Sequence, residues 1–165
     1  PTKNEKIIDP ACGSGGFLLS SLKYLKVNNP DADVEKYVSN NLFGIDINKK
    51  ITRLAKMKLF LESNGNSNII LKNSLADLDE IKLEFGKVYE KPIDKFDIVL
   101  TNPPFGTLGK IKNKNILSSY ELGYKWSGTW GKYYKTNTLL PGQVPEILFI
   151  ERCLALLKDG GKKYP

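Results

Sequence analysis

The sequence KIIDPACGSGGFLLSSLKYLKV, residues 6–27, predicts a strand, a glycine-rich turn and a helix in succession. Lys6 to Asp9 is a short strand candidate, and Pro10 ends it. From Gly16 to about Val27 the pattern is helical, with three leucines on one face: Leu18, Leu22 and Leu25. A strand that passes through a tight glycine turn into a helix is typical of a parallel β-α-β unit.

The rest of the first half repeats this alternation of short apolar runs and helical patterns. Strands are predicted at 42–47, 68–71 and 96–101. A helix is predicted between the strands at 42–47 and 68–71, with Asn48 as its N-terminal cap and Gly65 as its C-terminal glycine. Its predicted apolar face consists of Ile51, Leu54, Ala55 and Leu59. The last strand, FDIVLT, is apolar enough to be buried on both faces. The sequence therefore predicts an α/β fold with a mainly parallel central sheet.

Residues 106–145 break this alternation. They are rich in Gly, Lys, Tyr, Trp and Thr and show no clear periodicity, which predicts a long loop. Six aromatic residues are interleaved with Lys125, Lys132 and Lys135: Tyr120, Tyr124, Trp126, Trp130, Tyr133 and Tyr134. Such a mixture is typical of a nucleic-acid surface. A small subdomain that packs its aromatic rings internally explains the composition equally well, and both interpretations stay open.

A strong helix is predicted from Pro145 to about Lys158. Pro145 suits its first turn, Gly160-Gly161 ends it, and its predicted buried stripe is Ile147, Ile150, Leu154 and Leu157. A further strand is expected after Gly161, but the sequence ends four residues later, at Pro165. We therefore interpret residues 1–165 as a partial domain truncated at both ends, with a first half at 1–95, a loop and insert at 96–145, and a helix at 146–158.

Composition excludes several kinds of chemistry. The 165 residues contain no histidine, which removes Ser-His-Asp and Cys-His catalysis and histidine-ligated metal sites. Cys12 and Cys153 are too few for a disulfide scaffold or a four-thiolate zinc site, so we expect no metal and a cytoplasmic location. No apolar run is long enough to cross a membrane.

The charge balance is strongly basic. The net charge of +7 suggests a polyanionic partner such as nucleic acid, although a general compositional bias explains it nearly as well. Only Arg53 and Arg152 are arginines, the side chain that reads guanine most often. The chain is therefore a poor candidate for reading a DNA sequence.

The glycine turn, DPACGSGGF at 9–17, is the first of three motifs. Its small residues let the backbone approach a ligand at the carboxyl edge of a parallel sheet. It lacks the G-x-G-x-x-G spacing of nicotinamide dinucleotide sites and the Lys-Ser or Lys-Thr of a P-loop. A tight turn without a ligand is the alternative.

The second motif is GIDI at 44–47. A carboxylate at Asp46, which ends the second strand, can accept hydrogen bonds from both hydroxyls of a ribose. A solvated aspartate or a helix cap would explain Asp46 alone. The glycine turn one β-α unit earlier favours the ribose role.

The third motif, NPPF at 102–105, follows the buried strand directly. Its two prolines stiffen the backbone and remove two N–H donors, so carbonyl oxygens and the Asn102 amide oxygen remain as acceptors. Such a site suits an amine that donates two hydrogen bonds, and Phe105 offers a flat face to a base. A rigid loop with Phe105 in the core is the alternative.

In this order, the three motifs resemble those of S-adenosylmethionine-dependent DNA adenine-N6 methyltransferases, and most closely the modification (M) subunit of type I restriction-modification systems. The segment PEILFIERCLALLKDGG also resembles the corresponding part of that family. The resemblance extends over most of residues 7–161, with weak patches at 76–95 and 107–140. It implies a Rossmann-like S-adenosylmethionine-dependent methyltransferase fold.

The resemblance also implies which residues bind the cofactor, S-adenosyl-L-methionine. Its methionine part would be held by Asp9 and the turn, with Phe17 close by: Ala11, Cys12, Gly13, Ser14 and Gly15. Asp46 would bind the ribose hydroxyls, and Ile47 would pack on the adenine ring. The family usually has an aspartate after the third strand. This sequence has Asn73, whose amide oxygen can accept the same hydrogen bond.

By the same resemblance, the catalytic loop would consist of Asn102, Pro103, Pro104 and Phe105. The Asn102 oxygen and the Pro103 carbonyl would accept hydrogen bonds from the adenine amine. This would favour a pyramidal nitrogen whose lone pair can attack the methyl group in line. The target base would be flipped out of the duplex and would stack on Phe105.

The implied partners are DNA and the specificity and restriction subunits of a type I complex, with no membrane involved. Two other functions remain possible. Asn-Pro-Pro followed by an aromatic residue also occurs in methyltransferases that act on RNA adenine or protein glutamine. The chain could also be a non-catalytic cofactor-binding or assembly module.

Overall fold

The structure is a computed structural model that describes residues 1–2, 4–89, 93, 95–104 and 109–164, with side chains as far as Gly161. The strands are β1 Ile7–Asp9, β2 Leu42–Asp46, β3 Asn68–Leu71, β4 Phe96–Leu100, β5 Tyr124–Thr129, β6 Lys132–Leu139 and β7 Leu157–Tyr164. The helices are α1 Gly16–Asn28, α2 Val34–Asn41, α3 Lys49–Ser63, α4 Leu78–Tyr89, α5 Lys114–Ser118 and α6 Pro145–Leu156. A 3₁₀ turn covers Glu121–Gly123.

Five of these strands form one sheet in the order β3-β2-β1-β4-β7, and every neighbouring pair is parallel. This confirms the predicted α/β fold with a mainly parallel sheet. The chain moves from β1 outward to β3 and then returns to the other side of β1 with β4. The order therefore reverses between β1 and β4, where ligands bind in folds of this kind.

Helices cover both faces of the sheet and define two core clusters. On one face, α1, α2 and α3 pack on the sheet, and the predicted leucines Leu18, Leu22 and Leu25 are fully buried. On the other face, Phe43 packs edge-on against Phe85 of α4, with ring centroids 5.7 Å apart. Cys153 of α6 belongs to this second cluster.

Helix α3 confirms its predicted cap and corrects its predicted end. The Asn48 side chain accepts hydrogen bonds from the backbone N–H groups of Lys50 and Ile51. At the other end, Asn64 and not Gly65 takes the left-handed conformation, with φ of 56°. Gly65 is needed for a different reason, since a Cβ there would lie 2.7 Å from the carbonyl oxygen of Glu35.

The predicted buried stripe of α6 is wrong. Ile150 and Leu154 are 49% and 58% exposed, and the buried residues are instead Pro145, Leu148, Phe149, Arg152, Cys153 and Leu156. The helix is apolar around most of its circumference, so hydropathy alone could not identify the inner face. The hydrogen bonds of Arg152, described below, turn that side of the helix inward.

Two further expectations about the second half are also corrected. A strand was expected only beyond Gly161, but β7 begins at Leu157 directly after α6 and includes Gly160-Gly161. Residues 106–145 are not an extended loop, because their described part folds into α5, the 3₁₀ turn and the antiparallel hairpin β5–β6. Across the described ranges, every helix is too short or too polar to cross a membrane.

Candidate functional site

The carboxyl ends of four parallel strands place the predicted motifs side by side. The glycine turn follows β1, Asp46 ends β2, Asn73 follows β3 and Asn102 follows β4. Since β1 lies between β2 and β4, the turn is flanked by Asp46 on one side and Asn102 on the other. The sheet thus brings together residues that are far apart in sequence.

The glycine turn is fastened to β2 by its backbone. The N–H of Cys12 donates to the carbonyl of Ile45 at 3.0 Å, and Gly15 closes the turn onto the Cys12 carbonyl at 2.8 Å. Gly13 and Gly15 have φ of 51° and 81°, a conformation that L side chains rarely adopt. The turn therefore has a fixed shape before any ligand arrives.

Cys12 fills space beneath this turn. Its side chain is buried, and its Sγ would lie 3.1 Å from a Cβ placed on Gly44. Burial raises the pKa of the Cys12 thiol well above its usual range, and the charge of Asp9 raises it further. The thiol therefore stays protonated, and the residue acts through its small size.

Asp46 holds the turn as well as facing the site. Its Oδ2 accepts a hydrogen bond from the N–H of Gly13 at 3.0 Å, and its Oδ1 accepts one from the N–H of Asn48 at 2.7 Å. The carboxylate thereby connects the turn to the start of α3. Any ribose bound at Asp46 would use the remaining lone pairs of these oxygens.

Asp9 lies below the turn and is almost completely buried. Its Oδ1 accepts a hydrogen bond from the N–H of Ala11 at 3.0 Å. Burial raises the pKa of Asp9 to about 6, and the charge of Asp46 adds to the rise, while Ala11 and the Thr101 hydroxyl act in the opposite direction. The site thus contains an unusually weak acid beneath the glycine turn.

Replacing Asp9 with Asn is expected to stabilise the ligand-free protein near pH 7. The folded chain holds the Asp9 proton more tightly than the unfolded chain. Asp9 therefore contributes to the free energy of unfolding in full below pH 3.8, and this contribution is lost as the pH rises through about 6. The neutral amide avoids this loss, which we expect to be worth about 3 kcal/mol. Denaturant unfolding of both proteins between pH 4 and pH 8 measures it. Parallel stability profiles would contradict the raised pKa.

A cleft of about 440 Å³ lies above these strand ends. Six of the residues predicted from sequence line it: Ala11, Asp46, Ile47, Asn73, Asn102 and Pro104. Ile47 is 71% exposed beside Asp46, so its side chain is free to cover a flat ligand. Four residues proposed for the cofactor and two proposed for the catalytic loop thus line one cavity.

The other predicted residues have different positions. Asp9, Cys12, Gly13, Ser14 and Gly15 belong to the turn or lie beneath it, and Pro103 lies between two lining residues. Phe17 is partly exposed in the first turn of α1 and does not line the cleft. Phe105 lies outside the described residues.

The sequence motifs missed one wall of the cleft. This wall is mainly apolar and consists of Leu75, Ile111, Pro145 and Phe149, next to Ser74 and Pro10. Leu75 and Phe149 belong to the same buried cluster. Phe149 lies in the predicted helix, in a segment whose family resemblance assigns no site residue, and its contribution to the cleft depends on how α6 is rotated.

The loop after β3 forms a hydrogen bond with the glycine turn, and a second hydrogen bond within the loop orients the Asn73 side chain. The Ser74 hydroxyl donates a hydrogen bond to the carbonyl of Pro10, and the Asn73 Oδ1 accepts one from the N–H of Leu75 at 2.9 Å. The oxygen expected to meet an adenine amine is therefore already engaged once. Asn73 can still offer a ligand the second lone pair of that oxygen or its NH2 group.

Arg152 of α6 supports the cleft from behind. Its buried guanidinium donates to the Tyr120 hydroxyl through Nη2 and Nε, at 2.7 and 3.0 Å, and to the carbonyl of Ala76 at 2.5 Å. Burial raises the pKa of Tyr120 to about 12, although Arg152 opposes the shift, so the hydroxyl stays neutral. This side chain joins α6 and the loop after β3, which both line the cleft, to the segment after α5.

Three relatives show similarity over about three-fifths of the chain. The type II restriction enzyme and methyltransferase RM.BcgI of Heyndrickxia coagulans is 32% identical over 104 residues, which are 62% of this chain and 15% of that protein. The type I restriction enzyme MjaIX methylase subunit of Methanocaldococcus jannaschii is 33% identical, with the same coverage of 62% and 15%. A release factor glutamine methyltransferase of Clostridium acetobutylicum is 34% identical over 61% of this chain and 28% of its own length. The chain thus spans less than a third of each of these relatives.

Structural similarity extends over nearly the whole chain. The crystal structure of a modification subunit from Vibrio vulnificus YJ016 has a TM-score of 0.67 and 25% identity, and covers 96% of this chain and 27% of that subunit. The family model described as N-6 DNA methylase matches residues 1–163. Together with the glycine turn, Asp46 and the Asn-Pro-Pro loop around one cleft, this match shows that the chain belongs to the N-6 DNA methylase family.

Proposed function

We propose that this chain is the catalytic part of an enzyme that methylates the N6 amine of adenine in DNA, within a type I restriction-modification system and with S-adenosyl-L-methionine as cofactor. The observation that carries the proposal is the single cleft lined by Asp46, Ile47 and Asn73 on one side and Asn102 and Pro104 on the other. The family match supports the same chemistry. The partners that go with it are DNA and the specificity and restriction subunits, in the cytoplasm.

The residues present fit S-adenosylmethionine. A mainly apolar cleft with a few polar groups suits an adenosine. Asp46 would hold the ribose hydroxyls, Ile47 and Asn73 would contact the adenine, and the rigid turn above Asp9 would hold the methionine part. When bound, the cofactor supplies a methyl group already activated on a positively charged sulfur.

The chain's own residues would position the acceptor. The Asn102 amide oxygen and the Pro103 carbonyl accept hydrogen bonds from the two N–H groups of the target amine, which draws the nitrogen lone pair out of the ring. Pro104 offers no competing N–H donor and keeps the loop extended. The described residues bring no strong base to this edge, and none is needed, because the nitrogen becomes strongly acidic only after it accepts the methyl group. Phe105, as proposed from its sequence position, would stack on the flipped base.

A transfer assay tests the proposal directly. The full-length protein that contains this chain, assembled with its specificity subunit, would be given radiolabelled S-adenosylmethionine with duplex DNA, RNA or glutamine-containing protein. Label recovered as N6-methyladenine in DNA is the expected result. Label in RNA or in a glutamine side chain would show that the substrate is RNA or protein and would overturn the proposed DNA substrate. Binding of cofactor without any transfer would favour a non-catalytic module.

Asp46→Ala is expected to weaken S-adenosylmethionine binding by at least about tenfold, since both a ribose contact and the support of Gly13 are lost. Turnover at saturating cofactor should change much less. Asp46→Asn is the matched control: its amide oxygen can keep one backbone hydrogen bond, so an intermediate affinity is expected. Calorimetric titration, with NAD as the non-binding comparison, measures both variants. An unchanged affinity in Asp46→Ala would remove the ribose assignment.

A further inference from the structure

The hairpin β5–β6 exposes large aromatic side chains that the cleft does not use. Trp130 at its tip is 95% exposed, and Tyr133 and Tyr134 are 60% and 62% exposed. Almost every residue of both strands is exposed. Of the six aromatic residues singled out from sequence, Tyr120 packs internally and Tyr124 is half-buried. The other four, Trp126, Trp130, Tyr133 and Tyr134, are exposed and form an aromatic surface on a two-stranded ribbon.

The two sides of this ribbon differ. On one side, Trp126 and Lys135 lie opposite each other, and both contact Glu121: Trp126 Nε1 donates to its carbonyl at 3.2 Å, and Lys135 Nζ lies 2.6 Å from its carboxylate. On the other side, Tyr134 pairs with Ser127 and Lys132 pairs with Thr129. Neither Lys125 nor Lys132 forms an ion pair with any residue in the described ranges.

The charge of the hairpin is of one sign. Residues 124–139 contain three lysines and no aspartate or glutamate. The centre of a protein–protein interface is usually depleted of lysine. Lysines interleaved with exposed aromatic rings instead match a partner that carries both phosphates and flat bases.

The base of the hairpin is built into the catalytic side of the cleft. Leu139 packs on the cluster that contains the cleft residue Phe149. Gln143, just beyond the hairpin, bonds to Ile111 of the cleft wall and donates to the Leu122 carbonyl at 2.8 Å. From this anchored base, six residues of β5 extend roughly 17 Å along the strand direction.

We propose that this ribbon lies against duplex DNA beside the adenine being methylated, with Lys125 and Lys132 on phosphates and Trp130 and Tyr134 on sugar rings and base edges. A two-stranded ribbon has the right width for a major groove. The contact is independent of sequence, because lysines on phosphates fix position and the ribbon has no arginine to read guanine. This inference rests on the proposed DNA substrate and specifies how that substrate is held.

The test compares two pairs of variants in the full-length protein assembled with its specificity subunit. Lys125→Gln/Lys132→Gln is expected to lower DNA affinity at least about tenfold at moderate salt, and to reduce the slope of log K against log salt by about 1.8. Its matched control is Lys23→Gln/Lys36→Gln, two exposed lysines on α1 and α2. Trp130→Ala should raise KM for DNA severalfold, with kcat and cofactor affinity unchanged, whereas Tyr24→Ala on α1 should change none of them.

The outcomes separate this inference from the proposed function. If wild type methylates DNA and the hairpin variants match it in affinity and salt slope, the ribbon does not contact DNA. If the variants keep DNA affinity but lose the specificity or restriction subunit on gel filtration, the surface binds protein, and the inference is again overturned. If wild type methylates only RNA or protein, the proposed function fails first, and the DNA contact fails with it.

Discussion

Asn102→Ala is expected to lower kcat for methyl transfer at least about 1000-fold while leaving S-adenosylmethionine affinity within about twofold of wild type. The Asn102 side chain lines the cleft beside Pro104, on the side away from Asp46 and Asn73. Its removal takes away an acceptor for the target amine and leaves the residues proposed for the cofactor in place. Single-turnover transfer to DNA and calorimetric titration of the cofactor measure the two effects separately.

Asn102→Asp is the matched control for this prediction. A carboxylate keeps the acceptor oxygen and the approximate shape, so we expect it to retain far more activity than the alanine variant. Near-normal turnover in Asn102→Ala would refute the role of the Asn-Pro-Pro loop. A loss of cofactor affinity equal to the loss of turnover would instead make Asn102 a cofactor residue.

Arg152→Met is expected to destabilise the protein by about 3 kcal/mol. Arg152 is buried, and its loss would leave the Tyr120 hydroxyl and the Ala76 carbonyl without their partner. For a domain of this size, that change corresponds to a fall in melting temperature of roughly 6–12 °C. Thermal unfolding of the full-length protein, followed by differential scanning calorimetry, gives the shift of the transition to which this domain contributes.

Tyr120→Phe tests the same contact with a smaller change. It keeps the ring, which lies 5.1 Å from the guanidinium carbon, and removes only the hydroxyl, so a loss of about 1 kcal/mol is expected. Similar melting temperatures for Arg152→Met and wild type would show that the three hydrogen bonds of this arginine contribute little net stability. A larger loss of stability in Tyr120→Phe than in Arg152→Met would contradict the prediction that the arginine contributes more than the hydroxyl.

Local signals were sufficient to predict four of the five strands of the parallel sheet. β1 and β3 follow from short apolar runs, and the cap follows from the Asn48 side chain, which accepts hydrogen bonds from backbone N–H groups two and three residues later. The position of the site followed as well, because parallel strands place their carboxyl ends at one edge. Asp46, Asn73 and Asn102 therefore meet around one cleft although 56 residues separate the first from the last.

Tertiary contacts determined what the sequence could not predict. In α6, the choice between Ile150 and Arg152 for the inner face depends on Tyr120 and Ala76, which are remote in sequence. At the end of α3, Asn64 takes the left-handed conformation, while Gly65 is required by its approach to Glu35, which is remote in sequence. Helices α2 and α4 were missed because each buries only two residues, too few for a clear periodic pattern.

The hairpin illustrates a different limit. Both sides of the hairpin are exposed, so apolar and polar residues do not alternate along its strands. The pattern that normally predicts a strand is therefore absent. Composition did point to an aromatic and basic surface. Only the pairing of Trp126 with Lys135 and of Ser127 with Tyr134 shows which of those side chains share a side.

The Arg152 contact also limits when the site can form during synthesis. The hydrogen bond from Arg152 to Ala76 joins residues 76 positions apart, so its loop must close before the wall behind the cleft is complete. A nascent chain still lacking α6 would already contain the glycine turn and Asp46 but would have no finished pocket. Cofactor capture by ribosome-bound chains of increasing length should therefore begin only once α6 has left the exit tunnel, and would report when this wall of the cleft forms.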